Sequence, residues 1–299
     1  MRNITLLSDP ATLNAALEIW YIQNRILKGL PFTLLQDSAN ISNQLIVYLE
    51  LVGADLDLIR ALKDRGNRVV LFQMGDEYGR KSQDAYSLCD GVIKNYFFQN
   101  IFEDIRWVGK IFWSPNGFKS GIGPRDYNNL KPTTERSFLS AFMGWLSNDS
   151  SYNNERVLFQ EQVKNCQPNL FVNPSAGFSG GFNVSLYSTV LESAIFCPCP
   201  AGNSPETIRL YDVLETGCIP ISLKHDFLLS PFALGGVPFP LLDSWADLPK
   251  FLAEQASIRQ TQPERLLDLQ RTCITWWQQQ QGDIVGRIHR FIYDLRTRP

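Results

Sequence analysis

The residues best able to do chemistry in this chain lie between positions 194 and 223, AIFCPCPAGNSPETIRLYDVLETGCIPISL. The apolar run 195–198 closes on prolines and predicts a short strand. Pro200, Ala201, Gly202 and Asn203 supply turn chemistry. Ser204 suits a helix N-cap, Pro205 the first helical position and Glu206 the first turn. A helix is therefore expected from Ser204 to the stop at Thr216-Gly217, followed by a buried parallel strand over 218–223. The first N–H groups of a helix have no intrahelical partner, and the dipole is positive there, so such a start attracts a phosphate-like anion. Arg209 sits about one turn further on and could offer a forked cation to a diphosphate. Asp212 shares a helix face with Arg209 and could accept the two hydroxyls of a ribose. The same pattern also describes a capped core helix carrying a surface Arg–Asp pair.

The segment resembles the nucleotide-sugar-binding motif of exostosin-type (family 47-like) glycosyltransferases of the GT-B superfamily. Phe196-Cys197-Pro198-Cys199-Pro200, Gly202, Arg209, Asp212 and Gly217-Cys218-Ile219-Pro220-Ile221 fall in order on that family's strand, glycine turn, helix and strand. The family's ribose-binding Glu is Asp212 here, and Glu215, one turn later, could partly substitute. The resemblance implies an α/β fold of two Rossmann-like domains facing a cleft, with a C-terminal helix packing back on the N-terminal domain. It implies transfer of a sugar from a nucleotide-diphosphate sugar, a UDP-sugar before others, to a glycan hydroxyl, with inversion, no obligatory metal and no other cofactor. The implied donor site is Gly144, Gly202, Asn203, Ser204, Glu206, Thr207, Arg209, Asp212 and Asp226. His225, in the loop after the 218–223 strand, is the histidine placed for catalysis or donor-sugar contact. One alternative is a catalytically silent relative that binds a nucleotide sugar or glycan. Another is a metal-dependent transferase using Asp55 and Asp57.

Other residues invite chemistry and carry a plainer explanation beside it. Asp55-x-Asp57 has the form of a metal–diphosphate pair, yet it opens a helix, where capping and the dipole alone favour Asp. Asp76-Glu77 follows the carboxyl end of a strand, the edge where α/β sheets hold ligands. These acids could deprotonate an acceptor hydroxyl, or simply form a solvated turn. Trp113 and Phe118 could stack on a sugar or fill a core, and Arg136 and Arg156 could add charge to the second domain. Residues 121–125, rich in Gly and Pro, could form an acceptor-side loop or the exit from the first domain. Cys197 and Cys199 alternate on a strand, no second pair completes a zinc site, and all six cysteines are expected as buried thiols.

Composition bounds the rest. At 299 residues, 44% hydrophobic and 19% charged, the chain suits two packed domains. A net charge of −2 argues against a nucleic-acid surface held by bulk charge. No run is long and apolar enough for a membrane span, and the first ten residues do not read as a signal peptide. Eukaryotic exostosins are usually anchored in Golgi membranes; lacking such an anchor, a cytoplasmic chain is expected. The sequons at Asn3, Asn40, Asn148 and Asn183 are then chance matches. Nothing in the sequence sets an oligomeric state.

Hydrophobic periodicity places the elements. Residues 11–29 predict a helix with Leu13, Ala16, Leu17, Trp20, Ile22 and Ile26 on its apolar stripe. Strands are expected over 43–51 and 69–74 around a helix at 55–63, the signature of a right-handed parallel crossover. Further strands are expected over 92–98 and 108–113. The domains are expected at 1–130, on the acceptor side, and 131–299, holding the nucleotide sugar. In the second, strands are expected over 138–145 and 170–173, and helices over 153–164, 184–193, 241–256 and 263–296. His289 falls in the last helix as a packing or surface residue.

Overall fold

The computed structural model describes residues 2–297, apart from 9, 16, 17, 37, 39, 147–150, 176 and 178–182. Ala16 and Leu17 of the expected first stripe, and the Asn148 sequon, lie outside the described residues. The chain divides into two compact units. One is Met1–Asn116 with Ser230–Ala233 and Gln281–Pro299; the other is Gly117–Leu229 with Leu234–Gln280. The sequence-derived boundary at 130/131 lies further along the chain than this division.

The first unit is built on six parallel strands, β1 (Ile4–Leu7), β2 (Phe32–Leu35), β3 (Leu45–Glu50), β4 (Arg68–Gln73), β5 (Gly91–Lys94) and β6 (Ile111–Trp113), in the order β2-β1-β3-β4-β5-β6. β3 and β4 are the apolar runs read from the sequence, with helix Leu56–Asp64 as their crossover. β1 and β2 were not expected: each is only four residues long, and β2 is a half-exposed edge strand that carries no period. The expected 92–98 strand ends at Lys94 because Tyr96 turns the chain with a positive φ of 58°. The end of the long helix Pro263–Thr297 covers this sheet. There the Phe291 ring packs on Phe112 at 4.3 Å and fills the place a side chain at Gly91 would need. His289 Nε2 lies 2.8 Å from the Ile26 carbonyl, a packing role.

The second unit has five parallel strands, β7 (Phe138–Trp145), β8 (Leu170–Ser175), β9 (Ala194–Pro198), β10 (Ile219–Leu223) and β11 (Leu241–Leu242), in the order β11-β10-β9-β7-β8. The expected helix at 241–256 is corrected to strand β11, a 3-10 turn capped by Ser244, and a helix from Leu248 to Thr261. The long C-terminal helix runs through Gly282 without a break, since nothing crowds that position. All six cysteines are free and buried. Among the described residues no helix is long and apolar enough to cross a membrane.

Arg136 does not add charge to a ligand site. Its guanidinium is buried and donates to the carbonyls of Lys131, Leu191, Ala194 and Thr216, tying the ends of β9 and two helices together. Removing it strands those buried acceptors, so Arg136→Ala is expected to cost about 3–5 kcal/mol of stability in chemical denaturation.

Candidate nucleotide-sugar site

In the second sheet the chain reverses direction between β7 and β9, and such a switch point opens a crevice at the carboxyl ends of the strands. The ladder between β7 and β9 reaches only Ser140↔Phe196, whereas β7 stays paired with β8 as far as Trp145↔Ser175. Beyond Ser140 the two strands therefore part. Two guanidiniums stand over the Phe142 ring at this place, Arg209 at 4.3 Å and Arg156 at 5.8 Å. Arg209 also faces the Tyr187 ring at 5.8 Å, and Lys119 Nζ faces the same ring at 5.2 Å. The Nε and Nη1 of Arg209 are buried without a hydrogen-bond partner. Arg156 donates Nε to the Ala201 carbonyl and Nη1 to that of Trp145. Burial, with Arg209 adding repulsion, pushes Arg156 down to about 9. Among the described residues neither arginine is in an ion pair with a carboxylate. Buried cations arranged in this way call for an anion.

Backbone packs closely around the pair. A Cβ on Gly144 would collide with the Arg209 guanidinium, so the residue type at 144 is set by contact. Gly202 lies in the turn after β9, where a Cβ would stand 3.9 Å from Arg156 Nη2. Glu155, which precedes Arg156, accepts from Ala201 N at 3.0 Å and from Trp245 Nε1 at 3.2 Å, and lies 3.1 Å from His225 Nε2. The surroundings thus explain the residue type at Gly144, whereas a Cβ at Gly202 would make only an ordinary contact. Glu155, Phe142 and Tyr187 are additional, and none of them has a sequence signature beyond lying in an expected element.

Other expected residues are placed differently. The helix does not begin at Ser204 but runs Ile208–Glu215, with Thr207 at its N-cap making no side-chain cap bond. Ser204 Oγ instead accepts from Glu206 N, and the buried Glu206 carboxylate accepts from the Tyr211 hydroxyl at 2.8 Å, which holds 204–206 off the helical path. Asn203 is half-buried in the same turn, and Asp226 is exposed at the start of the short Asp226–Leu229 helix. Asp212 is fully buried; its Oδ1 accepts from Lys119 N at 2.9 Å, and its Oδ2 lies 3.9 Å from Lys119 Nζ. Burial, opposed by the Lys119 charge, pushes its carboxyl up to about 6. Glu215 cannot stand in for a ribose ligand: its carboxylate accepts from Arg125 N, Tyr127 Oη and Trp277 Nε1. These two acids fasten residues 119–127 to their helix. That assigns the Gly/Pro-rich stretch to the second unit as a fastened segment, and Phe118 to a buried position.

The acids expected of the first unit are also in use. Asp55 caps helix Leu56–Asp64 by accepting from Asp57 N and Leu58 N, and Asp57 pairs with Arg60 at 2.8 Å, which is the capping explanation. Asp76 accepts from the buried Lys94 ammonium at 2.6 Å and from Arg80 N and Lys81 N. Burial works to raise its pKa, but Lys94 and these bonds hold it below the usual range, so Asp76 is a weak proton acceptor. Glu77 is half-buried and accepts from the Tyr96 hydroxyl at 3.2 Å; buried Glu18, its pKa raised by burial, accepts from the same hydroxyl at 3.2 Å. Trp113 is buried.

Two tests follow from this geometry. Gly144→Ala is expected to displace Arg209 and weaken anion binding about tenfold in a titration, and, because Gly144 has a φ of 153°, to lower the melting temperature as well. The raised pKa of Asp212 means its ionisation opposes folding. The native protein binds that proton more tightly, so stability from this group is present at low pH and lost as pH rises from about 4 to about 6. Asp212→Asn keeps the acceptor for Lys119 N, and its stability relative to wild type is expected to improve by about 3 kcal/mol between pH 4 and pH 7.

Residues 115–234 match the model of the Exostosin GT47 domain. A probable glucuronosyltransferase of Oryza sativa subsp. japonica is 30% identical over 129 residues, which is 43% of this chain and 28% of that protein. Exostosin-1 of Drosophila melanogaster is 29% identical over 98 residues, 33% of this chain and 13% of that protein. A probable beta-1,4-xylosyltransferase of Arabidopsis thaliana is 36% identical over 69 residues, 23% of this chain and 15% of that protein. The matched part therefore spans less than a third of each of these relatives. Among solved structures, a glycosyltransferase from Rickettsia africae superposes over 100% of both chains with a TM-score of 0.53 at 11% identity. A pneumococcal O-GlcNAc transferase, solved with UDP and GlcNAc, superposes over 87% of this chain and 58% of its own with a TM-score of 0.51 at 10% identity. The matched residues contain the β7–β9 switch point, the Gly202 turn and Arg209: residues 115–234 are similar to the Exostosin GT47 domain, and the two parallel sheets have the fold of GT-B proteins.

Proposed function

We propose that the chain is a glycosyltransferase that moves a sugar from a nucleoside-diphosphate sugar to a glycan hydroxyl. The observation that carries this is the pair of guanidiniums over Phe142 at the switch point, with two buried nitrogens of Arg209 unpartnered. Their spacing over one ring suits a diphosphate, which offers several anionic oxygens to forked donors. The glucuronosyl-, xylosyl- and exostosin-type names of the relatives support a nucleotide-sugar donor, and a UDP-sugar is the first to test.

In this proposal the leaving diphosphate gains charge as the glycosidic bond to it breaks, and Arg156 and Arg209 stabilise that charge. Fixed guanidiniums can do what a divalent cation does in other transferases, which supports a reaction with no obligatory metal. The acceptor hydroxyl loses its proton to a general base as it attacks the face opposite the diphosphate, giving inversion. Of the adjacent acids Asp76 and Glu77, Glu77 is the better base, because Asp76 is held ionised by Lys94.

The direct test is a calorimetric titration of UDP, GDP, ADP and their sugars into wild type and Arg209→Ala, with and without chelator. One nucleotide is expected to bind, unaffected by chelator, and to weaken by about 10–100-fold in Arg209→Ala. Binding without turnover of any donor would favour a silent relative, and no binding at all would overturn the proposal.

A further inference from the structure

Residues 151–156 grip the turn after β9 from both sides. Tyr152 N donates to the Gly202 carbonyl at 2.7 Å. Glu155 Oε2 takes the Ala201 N–H, and Arg156 Nε donates to the Ala201 carbonyl at 2.9 Å. Two adjacent residues of opposite charge therefore hold both polar groups of one turn residue. The chain can present them together because Asn153 and Asn154 are both left-handed, with φ of 50° and 56°, a conformation Asn tolerates. Those two residues turn the backbone into the helix Glu155–Gln162, so that positions 152, 155 and 156 meet the same turn.

The other oxygen of Glu155 reaches a different loop. Oε1 stands 3.1 Å from Nε2 of His225, which follows β10 and is itself buried. The Glu155 carboxylate, 2% exposed, thus lies between the glycine turn and the only histidine of the second unit, but Nε2 of that histidine makes no hydrogen bond, so the turn is what the carboxylate fixes. Arg156, next in sequence, carries the consequence to the anion site, because its guanidinium is held by the same turn residue.

We propose that Glu155 is a positioning residue for the diphosphate. It fixes the Ala201–Gly202 turn and, through it, Arg156. The inference rests on the nucleoside-diphosphate assignment above, and no family feature noted in the sequence includes Glu155.

The test uses Glu155→Ala and Glu155→Gln in the intact chain, with UDP, GDP and ADP as probes. Glu155→Ala leaves the Ala201 N–H unmet and is expected to weaken the bound nucleotide about tenfold. Glu155→Gln keeps an acceptor oxygen for Ala201 N and is expected to recover most of that affinity. Recovery by the conservative variant separates positioning of the turn from a general loss of packing. Wild-type affinity in a folded Glu155→Ala, or no recovery of affinity in a folded Glu155→Gln, would overturn the inference while leaving the nucleotide assignment standing if Arg209→Ala still weakens binding. If wild type binds none of the three probes, both fall.

Discussion

Everything at the site depends on keeping two guanidiniums close together without a carboxylate beside them. Like charges repel, and burial removes the water that would screen them. Arg209 and Arg156 are held by aromatic faces and by main-chain carbonyls, neither of which neutralises a charge. Phe142 can serve both because it lies on β7 just beyond the last β7–β9 pair, with both guanidiniums over its ring. The switch point, set by strand order, therefore creates the opening, and the ring in it collects the charge.

The carboxylates of this region are used differently from the way their motif suggests. Glu155, Asp212 and Glu215 are buried and each accepts a backbone N–H from a loop. An ionised acid bonded to main chain fixes a loop firmly and forms no ion pair with the arginines, although Asp212 acts on Arg209 and Glu155 on Arg156 through their charge. Asp212 lies nearest to conflict, since Lys119 compensates only part of the cost of burying it.

Much of this was legible in the sequence. The strand–turn–helix–strand order at 194–223, Arg209, Gly144 and the parallel sheets follow from apolar runs, turn residues and the family pattern. The helix start was misplaced because Ser-Pro-Glu is a strong local start signal, and a tertiary bond from Tyr211 to Glu206 overrides it. The ribose role for Asp212 failed for a related reason: helical spacing gives the face but not what covers it, and residues 117–127 cover this one. Glu155 could not be found from sequence, because it is an ordinary first-turn acid until the fold brings Ala201 and His225 to it. In the first unit, β1 and β2 were too short to carry a periodicity, and Asp76 looked free because its partner Lys94 comes from another strand.

The central claim is that the two arginines over Phe142 hold a diphosphate. The most direct measurement is a crystal structure of the protein with the tightest-binding nucleoside diphosphate. The expected result is a diphosphate within hydrogen-bonding distance of Arg209 and Arg156, beside Gly144 and Gly202. A nucleotide bound elsewhere, with no anion at either guanidinium, would contradict the account.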